Sequence, residues 1–327
     1  MPRGTTRRRL LASAGTAAAV GLAGCGGGGS AIGGVERLVL HYGEMNEQIA
    51  REIAAVVNAR GIEITLKQGG SNVENLRTVN DNPGSLALMP ADIAYFGRQG
   101  AGIQAISGPK ENVRCVVPLY PLPLTVVARG DLDADSIADL DGATINVGEP
   151  GTALNTNATQ LVDPLDIEYS TANLPLSDAL DRLTAGDLDA TVARGDWPIP
   201  GVVDATENAD AQLLSLSPTV VQTAVQNEWL VNQPPYGSIP ASVYPGIDYV
   251  VDTLSLMTLL VVNADTPKGL VAGTTAAFFQ NRDQIRTHNT YLPKEVQEDG
   301  EGVFVNAQLG VPLDLHEGSA EIILFSN

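Results

Sequence analysis

From Arg37 onward the chain alternates short apolar runs with amphipathic segments, and that alternation admits little besides parallel sheets covered by helices on both faces, an α/β fold. Leu38 to Leu40 reads as a strand, and Ile49, Ile53, Val56 and Val57 then fall at helical spacing, with Gly61 closing the helix at its C-terminal side. Further strands are expected near Ile62 to Leu66, Leu86 to Leu88, Val113 to Val117, Ala143 to Val147 and Ala190 to Ala193. Helices are expected near Val73 to Val79, Ser136 to Leu140, Ala153 to Leu161 and Ser177 to Thr184. Two apolar runs, Leu122 to Ala128 and Met257 to Asn263, exceed the usual strand of such a unit and bracket about 130 residues. Read as paired crossings between lobes, they put 35–124 with 255–327 in one lobe and 125–254 in a second, with a ligand cleft between them. A chain of 327 residues with 44% apolar side chains is long enough for two such cores.

The first 24 residues are set apart by their own pattern. Arg7, Arg8 and Arg9 precede a weakly apolar stretch from Leu10 to Ala23, too short and too rich in glycine to span a bilayer, as in an export signal. The paired arginines followed by Leu10 and Leu11 point to the twin-arginine route. Leu22-Ala23-Gly24-Cys25 matches a lipobox, at which Cys25 becomes the lipidated first residue, and Gly26 to Gly29 with Ser30 make 25–34 a flexible tether. The plainer reading is a cleaved signal with a chance cysteine; the order of all four pieces favours a lipid anchor on the outer face of the cytoplasmic membrane.

Without residues 1–24 the chain keeps 15 basic against 38 acidic residues, a formal charge of −23. Nucleic acid is excluded as a partner on that balance. Only four of the basic residues are lysine, and an acidic, lysine-poor surface fits a high-salt habitat that screens the charge. No block of like charges forms a cation-binding tail. With Cys25 acylated, Cys115 is the only other cysteine, so no intrachain disulfide is expected, and its valine neighbours make it a core residue.

Residues for catalysis are sparse. His41, His288 and His316 are scattered, without the spacing of a metal site; neither a G-x-S-x-G elbow nor a phosphate-binding G-x-x-x-x-G-K-[ST] loop occurs. The reading is of a binder rather than an enzyme, with no metal and no cofactor.

The informative segments are loops at the ends of the expected strands. In Gly69-Gly70-Ser71-Asn72-Val73-Glu74-Asn75-Leu76, Ser71 or Asn72 caps a helix whose free N–H groups can meet a carboxylate. Gly148-Glu149-Pro150-Gly151-Thr152-Ala153-Leu154-Asn155-Thr156 offers the same chemistry from the other lobe, so the two helix starts would form a carboxylate clamp that needs no arginine. Taken singly, each loop is an ordinary capping turn. Trp197, in Gly195-Asp196-Trp197-Pro198, either stacks on a ligand or plugs the lobe surface. Tyr42 and Asp92 sit at equivalent strand ends, Asp92 as a partner for a ligand amine or as a capping carboxylate.

Several of these segments, in this order, resemble the TAXI family of extracytoplasmic solute-binding proteins that serve TRAP-type transporters. The resemblance lies in Ser71-Asn72-Val73-Glu74-Asn75-Leu76, Leu119-Tyr120-Pro121-Leu122-Pro123, Ser136 to Gly142 followed by Gly148 to Thr152, Gly186-Asp187-Leu188-Asp189-Ala190, and Ile239 to Gly246. It implies a two-lobed type II periplasmic-binding-protein fold that closes on a small organic acid or amino acid and delivers it to a TRAP-type membrane permease. The candidate ligand residues, from the strand-end loops and the resemblance together, are Tyr42, Ser71, Asn72, Glu74, Asn75, Asp92, Tyr120, Gly151, Thr152, Asn155, Thr156 and Trp197. A sensory or scavenging receptor on the same fold is the alternative.

Overall fold

A computed structural model describes residues 37–43, 46–195, 198–224, 237–281, 284–285 and 311–325. The expected export signal, Cys25 and Trp197 lie outside these residues. The first βα units follow from the apolar pattern. Strand β1 (Leu38–Tyr42) leads to α1 (Glu47–Asn58), which buries Ile49, Ile53, Val56 and Val57. Gly61, at φ +79°, turns the chain after α1, a left-handed conformation that costs glycine nothing. Then come β2 (Ile64–Gln68), α2 (Asn72–Asp81) and β3 (Ser85–Pro90). An α-helix that the sequence pattern did not announce, α3 (Ala91–Gln99), starts directly from the last residue of β3 and ends at Gly100, φ +71°.

The expected strands at Val113 to Val117 and Leu122 to Ala128 are one continuous strand, β4 (Val113–Arg129). After it the segment at Ser136 to Leu140, expected to be an α-helix, is only a 3-10 turn (Ile137–Asp139). Ser136 and Asp139 close a reciprocal capping box around it, and Gly142 follows at φ +78°. The second set of units is β5 (Thr144–Asn146), α4 (Ala153–Val162), β6 (Ser170–Ala172), α5 (Leu176–Ala185), β7 (Ala190–Arg194), α6 (Pro200–Asn208), β8 (Ala211–Leu214) and α7 (Pro218–Ala224). A small hairpin of β9 (Gly237–Ile239) and β10 (Val251–Thr253) precedes β11 (Ser255–Asn263), α8 (Lys268–Gln280) and the C-terminal α9 (Glu317–Phe325).

The strand order is the key to the architecture. One half-sheet runs β2-β1-β3-β11-β4 and the other β6-β5-β7-β4-β8, with β4 in both. Each half repeats one plan: parallel strands joined by helical crossovers, then an antiparallel strand that arrives from the other half, then a last strand. The fold is thus α/β with two lobes. Its main core joins Leu38, Leu40, Leu86, Leu88, Leu260 and Val262 to Val126, Ile145 and Val192 across the junction, and a smaller cluster around Leu180, Val202, Leu213 and Tyr244 lies under α5 and α6.

β4 carries Pro118, Pro121 and Pro123, which cannot donate to a ladder. It tolerates them as the outer strand of its half-sheet, and register shifts against β11 fall at Thr258/Leu259 and Leu260/Val261, beside Pro118 and Cys115. Its outer edge at Cys115 is covered by residues 314–316: Cys115 N–H donates to Asp314 O at 3.0 Å and His316 N–H to Cys115 O at 2.8 Å. Cys115 itself is a buried free thiol, its pKa pushed up by burial.

His316 then caps α9. Gly318 N–H donates to His316 Nδ1 at 3.1 Å while Nε2 faces Ala264 O at 3.2 Å, the pattern of a neutral ring protonated on Nε2. Burial holds this imidazole below its ordinary value, and His41 is held low by burial and then by Lys67, its register neighbour. Unfolded histidines bind a proton near pH 6.5 that the folded ones resist, so this stability is full above about pH 6.5 and declines as the pH falls below it. His316→Asn keeps a capping acceptor but cannot titrate, and is expected to flatten the decline in urea midpoints between about pH 5 and 7. An unchanged slope would place the proton-linked loss elsewhere.

At Gly318, α9 touches the backbone of α8: a Cβ there would stand 2.4 Å from Lys268 O and 2.8 Å from Ala272 N. Alanine would favour the helix by about 1 kcal/mol, whereas forced overpacking costs about 1–3 kcal/mol. Gly318→Ala is therefore expected to lower the urea midpoint; a rise would show that the two helices can separate without loss.

Candidate functional site

The register of the strands brings two sheet edges face to face. β1, β2 and β3 end together, Tyr42 beside Gln68 and β3 closing at Pro90, which pairs with Thr258 of β11; Thr258 in turn pairs with Tyr120 of β4. β7 ends at Arg194, which pairs with Leu124 of the same β4. Only Pro121, Leu122 and Pro123 separate the two edges along β4, roughly 10 Å of extended chain. Each edge is the C-terminal end of parallel strands, where helices start and ligands bind in open α/β sheets.

Side chains from both edges meet at this seam. Asp92, in the first turn of α3, is fully buried. Its Oδ1 accepts from Ile93 N–H at 2.7 Å, and its Oδ2 accepts from Asn157 Nδ2 of α4 at 2.8 Å and from Arg194 Nη1. Asp92 comes from the first half, Asn157 and Arg194 from the second. A negative charge in the first turn of α3 is also favoured by the helix dipole. Nearby, Thr156 Oγ1 donates to Gly102 O at 3.0 Å and Gln104 N–H to Gly151 O at 3.1 Å, so the start of α4 is stitched to the loop after α3. Gly151 is needed there: its φ is +78°, and a Cβ would lie 2.6 Å from Gln104 Oε1.

The two glycine-rich loops differ from the clamp expected of them. Ser71 Oγ accepts from Glu74 N–H at 3.3 Å while Glu74 Oε2 accepts from Ser71 N–H at 2.7 Å, a reciprocal capping box that lowers the Glu74 pKa through the backbone bond. Both side chains are engaged with each other. Thr152 is likewise engaged: its Oγ1 accepts from Asn155 N–H at 3.1 Å and donates to Glu149 O at 2.7 Å. Asn155 Nδ2 donates to Gly148 O at 3.2 Å, and Tyr120 Oη accepts from Asn46 Nδ2 at 2.8 Å. Tyr42 is buried at the end of β1, and Asn72, half-buried, opens α2.

What the loops leave over lies behind them. Asn75 is 2% exposed, packs against the backbone of Gly69, and its Nδ2 has no hydrogen-bond partner among the described residues; Thr258 Oγ1 and Thr125 Oγ1, buried on either side of the junction, are in the same condition. A buried donor left unpaired costs about 1–3 kcal/mol, so such atoms are ordinarily met by ordered water or another polar group. Of the charged and amide groups at the seam, Arg194 and Asn157 escaped the sequence reading. Arg194 had a signal: it ends the apolar run Ala190 to Ala193, directly before the Gly195 loop already singled out. The clamp expected of the two helix starts included no arginine; Arg194 stands at the seam because a sheet edge places a strand's last residue there whatever its type. Among the described residues no group of three or more His, Cys, Asp or Glu is placed to hold a metal ion.

Comparison with known proteins gives the chain its relatives. Solved structures with a similar course of the chain include the periplasmic binding protein BugD, at 13% identity over 89% of this chain and 94% of that one, TM-score 0.46. The periplasmic aliphatic sulphonate binding protein SsuA from Escherichia coli aligns at 11% identity over 89% and 99%, TM-score 0.49. An ancestral arginine-binding protein bound to arginine aligns at 12% identity over 79% and 99%, TM-score 0.45. The model of the NMT1-like family matches residues 42–322, nearly all of the folded part, and the chain belongs to that family.

Proposed function

We propose that this protein is an exported solute-binding receptor that takes a small organic acid or amino acid into the seam between its lobes, without chemistry on it, and presents it to a membrane importer. The lobes are 35–124 with 255–327 and 125–254, hinged at the crossings β4 and β11. The observation that carries the reading is the pair of C-terminal sheet edges held face to face by those crossings, with the buried Asn75 Nδ2 left without a hydrogen-bond partner among the described residues. Such an arrangement buries a small molecule from two sides and lets closure register its arrival. The order of motifs shared with TAXI proteins favours a TRAP-type permease as the importer. The residues from Arg7 to Cys25 favour twin-arginine export and a lipid anchor at Cys25, on the outer face of the cytoplasmic membrane.

Thermal melting of residues 26–327 in high salt, against dicarboxylates, amino acids and 2-oxo acids, tests the reading. A ligand at 100 times its Kd adds about 2.7 kcal/mol and a rise of several degrees. No shift across the panel from folded protein would overturn the organic-acid assignment.

Asn75→Leu separates a ligand contact from a structural one. Because the Asn75 Nδ2 has no hydrogen-bond partner among the described residues, an apolar side chain of similar volume should leave the melting temperature unchanged or raise it. The same variant should bind the panel's ligand about 10-fold more weakly. Loss of stability with binding retained would make Asn75 structural.

A further inference from the structure

The seam contains a charge pair in an unusual condition. Arg194 is the last residue of β7 and its side chain is 14% exposed, yet among the described residues its guanidinium makes one hydrogen bond, Nη1 to Asp92 Oδ2. A guanidinium has five donors in a planar fork and prefers to meet a carboxylate with two of them. Asp92, by contrast, is well served without Arg194: Ile93 N–H holds one oxygen, Asn157 Nδ2 the other, and the start of α3 supplies favourable dipoles. The pair also joins the two halves, Asp92 following β3 and Arg194 ending β7, so whatever takes Arg194 from Asp92 changes how the halves are tied.

We infer that Arg194 is the anion-binding residue of the seam and that Asp92 is its resident carboxylate, which an entering ligand carboxylate displaces. This rests on the seam being the ligand site. The exchange puts one carboxylate in place of another at the guanidinium: the ligand carboxylate takes it with two hydrogen bonds, and Asp92 stays at the start of α3 with Ile93 N–H and Asn157 but loses its counter-charge, a cost that opposes binding. It gives the receptor a tie between its halves that holds without ligand, and it makes the carboxylate end the part of the ligand that every solute must present. Replacing Asp92 frees the guanidinium for small carboxylates; a ligand amine bound by Asp92 would show the reverse dependence.

The test does not require the ligand to be known. Asp92→Ala removes the resident carboxylate, and sodium formate, exchanged for sodium chloride at constant ionic strength, is the probe. Asp92→Ala is expected to melt below the unsubstituted protein and to recover by several degrees in a saturable manner with formate. The unsubstituted protein should respond less, and Asp92→Ala with Arg194→Gln should not respond at all. Formate insensitivity of Asp92→Ala, or an equal response in the double variant, overturns the inference. If Asp92→Ala does not fold, Asp92→Asn keeps the volume and removes the charge, and the same presence or absence of a formate response decides. Where the panel has identified an acid, Asp92→Asn should bind it about 10-fold more tightly, and weaker binding would assign Asp92 to the ligand instead. A formate response with no ligand in the panel would leave Arg194 an anion site while the receptor reading fails, so the two are separable.

Discussion

β4 is shared between two sheets, and most of the architecture depends on that sharing. Its first part pairs with β11 and its last part with β7 and β8, so the halves cannot drift apart without bending a strand buried along most of its length. The alternating prolines at 118, 121 and 123 lie in the part that pairs only with β11, where one edge of the strand is free of a ladder and missing donors cost least. Between Tyr120 and Leu124 the sheet narrows, among the described residues, to two adjacent strands, β4 and β11. Two strands bend and twist more readily than a wide sheet, and the hinge proposed above falls in this short stretch.

The elements legible in the sequence are those whose pattern is local. The spacing of Ile49, Ile53, Val56 and Val57 announces α1, and Ser71 with Glu74 announces the start of α2, because an amphipathic stripe and a capping box are satisfied within one turn or two. α3 was hidden because it follows β3 with no polar capping residue between them: Pro90 ends the strand and caps the helix, and Ala91 to Phe96 is apolar enough to pass for continued strand. The union of the two apolar runs in β4 was hidden for the opposite reason. A proline-rich segment reads locally as a break, and only pairing with β11, more than a hundred residues away, makes it one strand. Ser136 to Leu140 carried a sound capping signal but too few residues for an α-helix before Gly142.

The strand ends that meet at the candidate site were legible in the sequence, and which side chains meet there much less so. Strand ends can be read from the sequence, so the loops at Gly69, Gly148 and Gly195 were found. Which side chain is spent on its own backbone and which faces a partner across the seam depends on tertiary register. Arg194 and Asp92 are 102 positions apart and meet only because β7 runs antiparallel to β4 and ends where β3 ends. The acidity of the chain masked the pair further: among 38 carboxylates no single aspartate stands out in the sequence, and only the fold shows Asp92 as a fully buried one paired with an arginine.

That difference changes the kind of binder the seam can be. Two capped helix starts would attract an anion with dipoles alone, a contribution of about 0.3–1 kcal/mol each where solvent reaches them. In this protein the caps are closed by Ser71 with Glu74 and by Thr152 with Asn155, and Glu74 even sets a negative charge at the start of α2. The donors that remain, the Asn75 amide, the Thr258 and Thr125 hydroxyls and the outer nitrogens of Arg194, are buried or nearly so. A charge-assisted bond made there is about twice as strong as a neutral one and is screened far less by salt than a surface pair. For a chain carrying so large a negative charge, attraction of an anion from a distance is unfavourable. On the proposed reading, selectivity therefore comes from short-range donors such as these, which act once a ligand is inside.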